Sequence, residues 1–311
     1  MRTRGSTNKM KKDAFIDAAA NGLVDVVMDM LQKKLCDVDC QNEEGWTAMM
    51  KAVSNGHKDV ADVLYAHDCN LDLQNNENDS ALMWAATNDH KDAVKLLLIN
   101  YKCNVDVQSN IEGWTALICA ASNGHKDIVD ILLAHNCKLD LQDNEGFTAL
   151  MAAVDNGHKD IVDALVAHNC KLDLQSNIGE TALMWAAKKG HKDIVDALVA
   201  HNCRLDVQDI NGETALMIAK RRNHVEVAAL IENQLRQNRN WEHRKALMLV
   251  LAGSNYLLPS SSLILSSSAT VGTGRVVQTP VVIQRVDSAL TTSSEKVLCD
   301  LFLVQHIMRY I

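Results

Sequence analysis

From Thr148 onward the chain cycles through one order of apolar and polar positions. A short apolar stripe, "ALMAAV" (149–154), is followed by a polar break, "DNGH" (155–158), and a longer amphipathic stretch, "KDIVDALVAH" (159–168), before "NC" and "KLDLQ". The stripe consists of good helix formers, and the Thr148 hydroxyl before it can accept a bond from an orphan backbone N–H, which predicts an N-capped helix. Gly157 ends that helix, because glycine adopts the left-handed C-terminal conformation without strain. Ile161, Val162, Leu165 and Val166 fall at core spacing, with Asp160 in the first turn favourable to the helix dipole, so a second helix follows. Asn169 closes it, since Asn tolerates the left-handed region best among residues with a side chain. "KLDLQ" leaves room only for an extended turn into the next cycle.

The cycle recurs. A hydroxyl residue followed by Ala stands at Thr47, Ser80, Thr115, Thr148, Thr181 and Thr214, at intervals of 33, 35, 33, 33 and 33 residues. A period of that length marks a repeat array. The helix–turn–helix–finger unit resembles the ankyrin repeat, with its G-x-T-P-L-H-x-A-A-x-x-G-H pattern, over roughly residues 11–233. Three departures are systematic. Pro is Ala in every unit, the family His is Met50, Met151, Met184 or Met217 in most, and Gly-Ala becomes Asn-Cys. Ala keeps a good helix former but loses a preset φ, so the same fold with looser turns is expected.

The expected fold is an all-α repeat solenoid with short β-turn fingers. A flexible N-terminus (1–10) leads into a capping repeat (11–42) and six further repeats (43–75, 76–109, 110–142, 143–175, 176–208 and 209–238). A capping helix (239–253), a disordered linker (254–294) and an amphipathic helix (295–311) complete the chain. Within the linker, the Val-rich "GRVVQTPVVIQRV" has the composition to pair as a strand.

Composition narrows the function. The 311 residues are 47% hydrophobic and 23% charged, which suits a soluble core. The apolar run "ALMLVLAGSNYLL" (246–258) falls short of the ~20 residues of a spanning helix, so no membrane association is expected. "MRTRGSTNKMKKDAF" lacks the apolar run of a signal peptide, so the nine cysteines are expected to stay reduced, in cytoplasm or nucleus. Upstream of residue 254 the chain has 27 basic against 36 acidic side chains, which argues against a nucleic-acid partner.

His and Cys at fixed spacing raise metal binding. Four ligands would each have to lie ~2.0–2.3 Å from one ion, whereas equivalent residues of stacked helices lie roughly 8–10 Å apart. Structural roles are therefore expected, with no metal and no cofactor. Cys36, Cys69, Cys103, Cys137, Cys170 and Cys203 are expected at the small, buried Ala position of the family, and His67, His135, His168 and His201 at the end of the second helix, facing its last carbonyls. No GxGxxG, P-loop, G-x-S-x-G or H-E-x-x-H occurs, so no enzyme is expected.

The resemblance implies a protein partner held on a concave face built from finger tips and first helices. Carried over position by position, the candidate contacts are Trp46, Asp79, Trp114, Phe147 and Glu180 at the tips. Asn123, Asn156, Lys188, Lys189, Arg221 and Arg222 follow at the ends of first helices. The expected face thus presents exposed aromatic anchors among acids and finishes at a basic end. Trp84 and Trp185 are expected to pack between units instead. Gln41, Gln74, Gln108, Gln142, Gln175 and Gln208 recur, which fits either recent duplication or a side-chain ladder. The expected function is a non-catalytic, monomeric interaction scaffold. The alternative is a substrate adaptor for ubiquitin ligation, because "SSEKVLCDLFLVQHIMRYI" is similar over about fifteen residues to the first helix of an F-box, though without its Leu-Pro start.

Overall fold

The computed structural model describes residues 4–253, 264–271 and 275–282. Helices come in pairs: α1 (Arg4–Ala20) with α2 (Val24–Gln32), α3 (Ala48–Ser54) with α4 (Lys58–Ala66), and α5 (Ala81–Thr87) with α6 (Lys91–Lys95), which runs on as a π-helical turn, Leu96–Asn100. The pairs α7 (Ala116–Asn123) and α8 (Lys126–Ala134), α9 (Ala149–Asp155) and α10 (Lys159–Ala167), and α11 (Ala182–Lys189) and α12 (Lys192–Ala200) follow. The last pair is α13 (Ala215–Arg221) with α14 (Val225–Gly253). Odd-numbered helices stack on one another, as do most even-numbered ones, giving two layers around a continuous core. Leu117, Ile128, Leu132, Met151, Ile161 and Leu165 are fully buried in it.

Local chemistry sets each unit. The hydroxyl before every odd-numbered helix from α3 to α13 accepts the backbone N–H three residues on, at 3.2–3.4 Å. Gly157 has φ +76° and Asn169 φ +61°, so both helix ends terminate as the residue types foretold. Asp143 Oδ1 accepts the N–H groups of Glu145 and Phe147 at 2.9 and 2.7 Å, and Asn42 and Asp209 tie their turns in the same way.

Polar ladders join successive units. Gln41, Gln108, Gln142 and Gln175 each donate from Nε2 to a glycine carbonyl of their own finger and to the backbone of the next Gln in the row. The recurring glutamines are therefore a side-chain ladder. Asp39, Asp106, Asp140 and Asp173 each accept a backbone N–H of the following unit at 2.8 Å. A third row uses histidine. Nε2–H of His57, His125, His158 and His224 donates to Ala20, Thr87, Ser122 and Lys188 carbonyls of the preceding unit at 2.9–3.2 Å. The rings of His57, His158, His191 and His224 also fill the space that a Cβ would need at Gly22, Gly124, Gly157 and Gly190.

The single 35-residue interval has two sources. His90 to Cys103 spans one residue more than His125 to Cys137, and the π-helical turn absorbs it; the finger between Gln108 and Thr115 holds the other. This junction, between the second and third units, departs from the rest. His90 stacks on Trp84 of its own unit (4.9 Å between centroids, 16° between planes), and a Cβ at Gly56 would meet nothing within 4 Å. The helices α4 and α6 barely meet, and a cavity of about 250 Å³ opens beside Val53, Gly56, Ala93 and Leu96. Tyr101 bridges the gap instead, stacked on Tyr65 at 4.5 Å and donating its hydroxyl to Asp62 at 2.7 Å.

Two expectations change. Residues 4–10, expected to be flexible, are helical and extend α1, since nothing after Gly5 breaks the helix before Asn21. The capping helix expected at 239–253 is not separate: no Gly or Pro interrupts "VEVAALIENQLRQNRNWEHRKALMLVLA", so α14 runs through to Gly253. Inside the expected linker, β1 (Ile264–Val271) pairs antiparallel with β2 (Arg275–Val282), Ile264 opposite Val282, which realises the strand potential of the Val-rich stretch. The F-box-like helix expected at 295–311 lies outside the described residues.

Candidate binding face

Two of the aromatics that stand before a capping hydroxyl meet the next unit's odd-numbered helix. Trp46 meets Trp84 edge-on, at 5.8 Å between centroids and 77° between planes, and Phe147 meets Trp185 at 5.0 Å and 60°. The position equivalent to Trp84 and Trp185 in the fifth unit is Ala152, and Trp114 makes no ring contact among the described residues. Trp46, Trp114 and Phe147 are thus half-buried against the core rather than freely exposed, because packing on the neighbouring helix removes apolar area from water. Trp84 and Trp185 pack between units, as their position after the apolar stripe suggested. Two lysines lie over indole rings: Lys51 Nζ is 3.7 Å from the Trp46 centroid and Lys188 Nζ is 4.1 Å from that of Trp185.

The expected basic end is largely neutralised. Glu180 is 6% exposed and receives Lys188 Nζ on both carboxylate oxygens, at 3.0 and 3.1 Å. Lys189 pairs with Asp155 at 2.8 Å, and Arg221 grips Glu213 through two bonds of 2.9 and 2.8 Å. Of the four cations, Arg222 alone has no ion pair among the described residues. Asn123 and Asn156 turn their amides to carbonyls of their own helices, Cys119 at 2.9 Å and Ala152 at 3.0 Å.

Spacing held the signal for the ion pairs that the sequence reading missed. In the sixth and seventh units an acid before the capping threonine is matched by a base seven residues after it, Glu180 with Lys188 and Glu213 with Arg221. The acidic tips differ. Glu44, Glu77, Glu112 and Glu145 are exposed, and none of them forms an ion pair among the described residues.

Among the described residues, no group of three or more His, Cys, Asp or Glu side chains gathers where it could hold a metal ion. Nδ1–H of His67, His168 and His201 donates to the carbonyl four residues back at 2.9 Å, and burial pushes the Cys69, Cys137, Cys170 and Cys203 thiols up to about 12. Such thiols stay protonated at neutral pH and act as small hydrophobes.

The sequence pattern for Ankyrin repeats (3 copies) matches residues 15–110, 98–176, 168–240 and 183–259. The chain belongs to the ankyrin-repeat family. Its repeats are of a kind that generally serves as a protein-interaction module and typically carries no catalysis. A comparison with curated proteins finds no match. Among the described residues, no helix of this ankyrin array is long and apolar enough to cross a membrane.

Proposed function

We propose that this ankyrin array is a non-catalytic scaffold, monomeric and either cytoplasmic or nuclear, that binds a segment of a partner protein across its second to fifth units. One contrast carries the reading. The face of those units holds Trp46, Trp114 and Phe147 beside exposed acids without cations among the described residues, whereas in the sixth and seventh units the place of those aromatics is taken by Glu180 and Glu213, which Lys188 and Arg221 occupy. A binding surface needs apolar anchors ringed by polar groups that still lack partners. Trp114 stands out, since its ring has no aromatic partner among the described residues.

Trp114→Ala and Phe147→Ala should each weaken binding of a captured partner by roughly 2 kcal/mol or more. Calorimetric titration measures this, with circular dichroism confirming that both variants stay folded. Unchanged affinity in both folded variants would remove the concave face from the account.

A further inference from the structure

The array contains its own template for what one part of this face receives. Immediately before the capping hydroxyl stand Asp79, Glu180 and Glu213 in the third, sixth and seventh units. Seven residues after that hydroxyl stand Thr87, Lys188 and Arg221. In the two later units the fold holds the cation against the carboxylate at 2.8–3.1 Å. In the third unit the cation is missing. Thr87 donates its hydroxyl to the Met83 carbonyl at 3.0 Å, and among the described residues no Lys or Arg pairs with Asp79.

The Asp79 carboxyl is half-buried, and its neighbours make matters worse for the charge. Burial, then Glu77, then Glu112 raise its proton affinity above the usual carboxylate range, with no cation acting in the other direction. Lys51, the nearest unit's base on this face, is taken up over the Trp46 ring. An acid held at a stability cost in a position that the same fold neutralises twice elsewhere is a place for a ligand's charge.

We propose, resting on the scaffold reading above, that Asp79 is the receptor for a Lys or Arg side chain of the partner, which takes the place that Lys188 and Arg221 fill in their own units. The partner's remaining charges meet the exposed glutamates at the tips. Glu44, Glu77, Glu112 and Glu145 recur once per unit, and backbone bonds between adjacent tips, Asn76 N–H to the Glu44 carbonyl and Asn144 N–H to that of Glu112, both at 2.9 Å, keep them in a row. Stacked units repeat at roughly 8–10 Å, and three residues of extended chain rise about 10 Å. An extended segment with a basic residue at every third position therefore stays in register with this row. The Ile178 and Asn211 tips of the last units end it.

The test uses the full chain and a synthetic peptide of about twelve residues with Arg at every third position and Leu and Ala between, beside a peptide of the same composition with its Arg residues in one block. The spaced peptide should bind the wild type more tightly than the blocked one, and less tightly as salt rises. Asp79→Asn should weaken it at least about tenfold, the loss of one charge-assisted hydrogen bond. Thr87→Lys, which builds the internal pair, should do the same. Both variants should melt at a higher temperature than the wild type, a gain that a merely structural Asp79 would not give. Glu213→Gln, outside the row, should leave the peptide's affinity unchanged. Equal affinity of wild type, Asp79→Asn and Thr87→Lys for the spaced peptide, or no binding to the wild type, overturns the proposal. If Trp114→Ala weakens a captured partner while Asp79→Asn does not, the scaffold reading stands and the cation receptor alone falls.

Discussion

Lys188→Met is expected to destabilise the array by about 3 kcal/mol, the lower end of what breaking a buried ion pair costs. Glu180 is 6% exposed and would lose both of the hydrogen bonds that Lys188 Nζ now supplies. The low end applies because the Lys188 side chain remains about a quarter exposed (24%), so water reaches part of the site. The same ammonium sits over the Trp185 ring, which removes a second contact at once. Glu180→Gln in the Lys188→Met background should recover much of the loss, since a neutral amide tolerates burial better than an unpaired carboxylate. Urea unfolding at neutral pH measures both. A loss below about 0.5 kcal/mol for the single variant, the scale of an ordinary surface change, would mean that the pair carries no weight.

Gly190→Ala should cost distinctly more than Gly56→Ala, although the two glycines have φ of +79° and +76°. The left-handed conformation penalises alanine by roughly 1–2 kcal/mol at either site. At Gly190 the new methyl group would also lie 2.6 Å from Nδ1 of His224, whose ring must move and give up its 3.2 Å bond to the Lys188 carbonyl. At Gly56 it meets open space. The difference between the two variants therefore isolates the histidine lock between units, expected at about 1 kcal/mol or more from the lost bond alone. Thermal melts of the pair decide it, and equal losses would show that the lock contributes nothing.

Much of this architecture was legible because each step of the repeat is fixed by local chemistry. Thr148, Gly157 and Asn169 announce a cap, a turn and a helix end by residue type, and the 33-residue period does the rest. The binding face was harder to read for a physical reason. Position within a repeat says that Trp46 and Phe147 are near the tips, but their exposure depends on what the next unit offers, Trp84 or Trp185, and that is a contact between periods. Lys188 and Arg221 looked like a free basic patch for the same reason, since an ion pair eight residues apart joins a finger to the far end of the following helix. The glutamine row was ambiguous until geometry showed each Nε2 reaching two carbonyls. The π-helical turn after α6 was hidden in one extra residue between His90 and Cys103.

Amide hydrogen exchange with and without a captured partner tests the central claim most directly, because it reports on every unit in one experiment. Binding across the second to fifth units should slow exchange at fingers and odd-numbered helices within residues 44–54, 77–88, 112–123 and 145–156, and leave 180–222 unchanged. Protection concentrated in 180–222, or confined to residues beyond 235, would contradict it.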